Sequence, residues 1–171
     1  MFLARKITRA KWEPKRELSA DEISADAITS DLRTQDNSLS FWQCGIAEQG
    51  KLEEAVLAIA AGRDSIDRLD IVWLADNDLR KDGQTLKNTE GRTPAIDLSK
   101  LHVDVCRLDY IRLGKIARSI VIALKEKRYL RLTKTRVKKL LTSAVGQGRI
   151  DIDGLEDKVK TEVLESLQTG K

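Results

Sequence analysis

The stretch Leu69-Asp70-Ile71-Val72-Trp73-Leu74-Ala75-Asp76-Asn77-Asp78 constrains this chain most. Five consecutive apolar residues, Ile71 to Ala75, run straight into Asp-Asn-Asp. A short apolar run with β-branched and aromatic members, closed by turn formers, reads as a strand buried on both faces. It is the most apolar strand-like run in the sequence, and we take it as the central strand. A strand of that kind needs a covered layer on each side, so helices must flank it.

The rest of the chain supplies them. Phe2 to Trp12 is an imperfect strand, with Leu3, Arg5, Ile7 and Arg9 on one face and Phe2, Ala4 and Lys6 on the other. Its charges suit a sheet edge, where they discourage pairing with another chain, and Pro14 ends it. Ser19 and Glu22 form a capping box for a helix over about 20–33. Asp36-Asn37 makes a turn into a second strand, 38–44, with Leu39 and Phe41 on one face and Trp42 and Cys44 on the other. Residues 51–61 form a helix with Ala55, Val56, Ile59 and Ala60 as its stripe. Residues 79–97 carry no stable period and read as a long loop or ragged hairpin. Leu101 to Leu108 alternates as a strand. Asp109 caps a helix over about 110–128 with Ile111, Ile116, Ile120, Val121 and Leu124 apolar. Thr133 or Thr135 caps another to Val145, and a last helix spans 155–168. These elements predict an α+β fold: a small mixed β-sheet of about four strands covered by helices. An α+β body would span 1–111 and a basic helical part 112–171, in one continuous domain.

Charge is distributed unevenly. The net +4 of the 171 residues conceals a segment 112–149 with twelve basic residues and one acid, Glu126. Residues 18–111 carry ten basic and eighteen acidic residues. The chain has two cysteines, Cys44 and Cys106, no leader-like N-terminus and no long apolar run. That pattern predicts a cytoplasmic protein with reduced thiols and no membrane contact.

Three groups of residues could carry chemistry. Asp76 and Asp78 close the central strand, with Asp70 at its start. Carboxylates there can hold Mg²⁺ for phosphoryl chemistry, but Asp and Asn are also the residues preferred where a strand turns. His102, Asp104 and Cys106 share one face of a strand at i, i+2, i+4, about 6.5–7 Å apart along it. His102 is the single histidine, so any histidine acid–base chemistry must use it. One histidine and two separated cysteines are too few for a zinc site. The third group is the basic segment, chiefly Arg128, Arg131, Lys134, Arg136, Lys138 and Lys139. Helix, Tyr129–Thr133 turn and basic helix resemble a helix-turn-helix in outline, with 149–153 as a minimal wing. Exposed cations on a helix are what phosphate neutralisation requires.

The charge layout therefore predicts a non-enzymatic binding or accessory protein in a larger assembly. It would use those six cations to contact nucleic acid or an acidic protein partner, with no cofactor. The competing expectation is a small hydrolase or transferase around Asp76, Asp78, His102 and Asp104. It requires those residues to converge on one cleft.

Overall fold

The computed structural model describes residues 1–12, 22–45 and 49–169. Its frame is a six-stranded sheet: β1 (Phe2–Ile7), β2 (Leu39–Cys44), β3 (Leu69–Ala75), β4 (Thr85–Asn88), β5 (His102–Cys106) and β6 (Tyr129–Leu132). The order across the sheet is β4-β5-β2-β1-β3-β6, and every neighbouring pair is antiparallel. The fold is α+β as expected, but the sheet is larger than four strands and is not mixed. The helices are α1 (Arg9–Trp12), α2 (Ala25–Asp31), α3 (Gln49–Ala61), α4 (Asp76–Lys81), α5 (Tyr110–Lys125), α6 (Lys134–Gly146) and α7 (Asp157–Thr169). The expected capping residue Ser19 and the strand-ending Pro14 lie outside the described residues.

The connections explain the uniform pairing. β2 and β3 both run antiparallel to β1 and so run the same way, with β1 between them. A crossover through α3 joins two like-directed strands without making them neighbours. α5 does the same over a longer span, carrying the chain from β5 near one edge to β6 at the other. Each such crossover needs a long connection, here built around a helix, because a tight hairpin can only reverse direction.

Apolar side chains fill both sides of the sheet. On one side Ala4, Trp42, Cys44, Leu69 and Ile71 pack under α3, α6 and α7 through residues such as Val56, Leu57, Leu141 and Val163. On the other side Leu3, Ile7, Leu39, Phe41, Val72, Leu74, Val103 and Val105 pack against α5, with Trp12 and Ala27 beside them. β3 is buried on both faces, as its run of apolar residues requires. It is not the middle of the sheet, however: β2 and β1 are.

β1 is therefore internal and not an edge. Its charges are accommodated locally. The β1–β2 ladder stops at Ala4 opposite Trp42, and beyond it the strands part. Arg5 bridges the gap. Its Nη1 donates to the Ser40 carbonyl at 2.6 Å, and its Nε and Nη2 donate to the Asp31 carbonyl at 3.1 and 2.6 Å. The guanidinium lies 5.4 Å from the centre of the Phe41 ring. Burial pulls the Arg5 pKa down to about 10, partly offset by Asp31, and the group stays charged at neutral pH.

Two short strands were not expected. β4 has four residues with one large apolar side chain, Leu86, and so shows no period. β6 alternates Tyr129 and Arg131 with Leu130 and Leu132, over too short a span to stand out between two helices. These short strands, with Lys87 and Arg131 on them, are the two edges of the sheet, where brevity and charge limit pairing with other chains. Because 129–132 is a strand, the helix-turn-helix outline does not survive. α5 and α6 lie on opposite faces of the sheet with β6 between them. The supposed wing contains a 3₁₀ turn at Ile152–Gly154.

Local signals were followed closely elsewhere. Asp36 and Asn37 both have positive φ, 51° and 54°, as in a type I′ turn. The Asp109 and Thr133 side chains accept from the Arg112 and Arg136 amides as N-caps. Ile111 departs from its expected place in the α5 stripe and is exposed.

Candidate functional site

The parting of β1 and β2 opens a polar cleft on the α3 side of the sheet, about 590 Å³ in volume. Strand register builds its floor. Trp42 lies between Ala4 and His102, and Ser40 pairs with Asp104. Lys6 continues β1 past the last ladder pair, on the same face as Ala4. The end of α3 supplies Ala58 and Ile59, then Gly62 and Arg63 follow; the segment after β4 supplies Glu90 and Arg92.

That segment is held firmly. Thr93 Oγ1 donates to the Ala58 carbonyl at 3.0 Å, and the Gly91 amide donates to the Ser99 carbonyl at 2.9 Å. Gly91 rests directly on the floor. A Cβ there would fall 2.5 Å from Trp42 Cη2 and 2.8 Å from His102 Cβ, so no larger residue fits without moving the backbone.

His102 is the buried centre of the arrangement. Its ring meets Trp42 edge to face, with centroids 5.0 Å apart. Thr89 Oγ1 lies 2.7 Å from His102 Nδ1 and donates to Asp104 Oδ2 at 2.9 Å. A hydroxyl has one proton. With that proton directed at the carboxylate, Thr89 must accept from His102, which assigns the Nδ1–H tautomer. Nε2 then carries the lone pair, 3.9 Å from Asp104 Oδ1. Burial lowers the His102 pKa below the ordinary value, and Asp104 opposes this.

The sign of the resulting pH dependence follows. An unfolded histidine takes up its proton near pH 6.5, whereas folded His102 resists until lower pH. Its contribution to stability is present above about pH 6.5 and is lost as pH falls through that value towards the folded pKa. Urea denaturation should therefore show a stability decline between about pH 7 and 5.5 that is shallower in His102→Gln. Identical slopes would contradict the assignment.

The sequence candidates separate in space. His102 and Asp104 share the cleft. Cys106, half-buried, lies further along β5 and does not line it. Asp76 and Asp78 begin α4 and are not turn residues; they lie at the far end of β3, three strands across from β5. Asp76 sits 3.5 Å from the Met1 amine, and Asp78 lines a separate hollow of about 150 Å³. Asp70 is paired with Arg131 at 2.6 Å. The four-residue constellation required for the enzyme expectation does not form. Among the described residues, no group of three or more His, Cys, Asp or Glu side chains is placed to hold a metal ion.

The basic segment is partly neutralised by folding. Arg131 meets Asp70, Lys134 meets Glu162 at 3.0 Å, and Arg128 meets Glu126 at 2.7 Å. Arg149 lies 4.0 Å from Glu54. Arg136, Lys138 and Lys139 form no ion pair among the described residues. Arg136 and Lys139 are exposed on α6 and Lys138 is partly so. Lys6, Arg63, Arg92 and Thr89 are residues that sequence reading missed. Thr89 and Arg92 stood in a segment without period; only the tertiary fold brings Thr89 to His102 and the three cations to the same cleft.

Comparison with family models, curated proteins and solved structures finds no match for this chain. No described helix is long and apolar enough to cross a membrane.

Proposed function

We propose that this protein is a non-enzymatic binding protein that contacts the phosphate backbone of nucleic acid through α6, within a larger assembly. The observation that supports this reading is the state of α6: a helix with four cations, Lys134, Arg136, Lys138 and Lys139, and no acid. Three of the four have no ion-pair partner among the described residues. Intramolecular pairing accounts for Arg128, Arg131 and Lys134, which narrows the expected contact from six residues to Arg136, Lys138 and Lys139. α6 itself carries no aromatic residue, so the contact would be to backbone and not to stacked bases.

Counterion release supplies the test. Three phosphate contacts give a slope of about −2.7 in log K against log salt, or roughly a 40-fold loss between about 50 and 200 mM salt. Binding of a labelled DNA duplex, followed by fluorescence anisotropy, should show that slope. The triple reversal Arg136→Glu, Lys138→Glu, Lys139→Glu should lower affinity more than about 100-fold. Affinity that is flat across the titration would overturn the nucleic-acid reading. Retention of a nuclease-resistant protein partner by the wild type alone would then favour an acidic protein surface as the target.

A further inference from the structure

The cleft around His102 is lined by no residue of α6. It is bordered by three cations, Lys6, Arg63 and Arg92, and three acids, Asp36, Glu90 and Asp104. The Asp104 carboxylate accepts from Thr89 and lies 3.4 Å from Ser40 Oγ. On the cationic side, Lys6 and Arg92 form no ion pair among the described residues, and Arg63 reaches only the Arg68 carbonyl, at 3.5 Å. Three cations from three separate segments thus border one cleft with no carboxylate paired to any of them among the described residues. Asp36 and Glu90 lie at the same cleft, are exposed and form no ion pair among the described residues. With Asp104 they match the three cations in number, so an anion must bind where the cations lie closer to it than the acids do.

We propose that this cleft binds a small organic oxyanion, carrying a carboxylate or a phosphate, through Lys6, Arg63 and Arg92, with His102 beside it. Arginine forks match the geometry of both anions, and a lysine adds a point charge. A volume of this order suits an organic molecule and not a bare ion. The unprotonated Nε2 of His102 makes the site responsive. An anion nearby favours the imidazolium, so binding raises the pKa of His102 and tightens as pH falls. The groups that set this balance are Asp104 on β5, Glu90 and Arg92 after β4, Lys6 on β1, Arg63 after α3, and Asp36 in the turn before β2.

A single histidine makes the experiment clean, because every imidazole proton signal belongs to His102. The His102 titration is followed by NMR in full-length protein alone and with 10 mM citrate, adenosine monophosphate or neutral adenosine. Citrate, adenosine monophosphate or both should raise the His102 pKa by about half a pH unit, while adenosine leaves it unchanged. A response to citrate alone identifies a carboxylate ligand, and to the nucleotide alone a phosphate. The double variant Lys6→Ala, Arg92→Ala should abolish the shift while retaining the wild-type amide spectrum. The α6 triple reversal should keep it, which separates this site from the nucleic-acid surface. No shift with either anion overturns the proposal. So does an equal shift with adenosine, or a shift that survives the double variant.

Discussion

Truncating Phe41 to alanine is expected to lower stability by about 3–5 kcal/mol, the range for removing a fully buried phenylalanine. Phe41 is wholly buried on β2, on the α5 side of the sheet. It sits beside the place where β1 and β2 separate, and the Arg5 guanidinium covers its ring. The side chain therefore does two things. It fills the core between the sheet and α5, and it supports the arginine that replaces missing ladder hydrogen bonds. Its loss leaves a cavity that neighbours on rigid strands cannot collapse into. Urea denaturation followed by circular dichroism measures the change. An unchanged slope with a lower midpoint marks a true loss of stability. Phe41→Leu should cost less, roughly 1–2 kcal/mol. A loss below 1 kcal/mol for the alanine variant would show that this part of the core is not close-packed.

Removing the carboxylate of Asp31 should cost about 3–4 kcal/mol, from several hydrogen bonds to one charged acceptor. Asp31 ends α2 and gathers three segments. Its carboxylate accepts from the Thr8 amide and hydroxyl and from Trp12 Nε1, the last at 2.7 Å. Trp12 is almost completely buried. In Asp31→Ala its indole N–H loses its charged acceptor in an apolar setting, and the start of α1 loses its anchor. A thermal midpoint lower by roughly 10 °C is the expected reading for a chain of this length. Asp31→Asn keeps one oxygen and should recover part of the loss. If alanine and asparagine variants melt together with the wild type, the anchor contributes nothing.

Neither residue stood out in the sequence, and the reasons are physical. Phe41 was placed on the correct face of its strand by alternation, but alternation says nothing about an arginine from another strand. Asp31 lies 19 residues from Trp12 and 23 from Thr8, and its role exists only once α1, α2 and β1 meet. β1 illustrates the same point. Arg5 and Lys6 look like edge charges by pattern, yet one bridges a gap inside the sheet and the other borders the cleft. The assignment of 129–132 as a turn failed because four alternating residues between two strong helices carry little periodic signal. Asp109 and Thr133 were correct caps because a cap is a contact over three residues, wholly local in the chain.

The apolar stripe of α5 apart from Ile111, the turn at Asp36-Asn37 and the burial of β3 on both faces follow from sequence alone. Each depends on spacing within one element. Tertiary structure decided the rest. It placed β3 beside β1 and β6 and not at the sheet's centre, with its Asp76 and Asp78 in a helix away from His102. It spent Arg128, Arg131 and Lys134 on acids, leaving Arg136, Lys138 and Lys139. It also made the cleft, because a gap between two strands and the side chains around it are set by how distant segments meet.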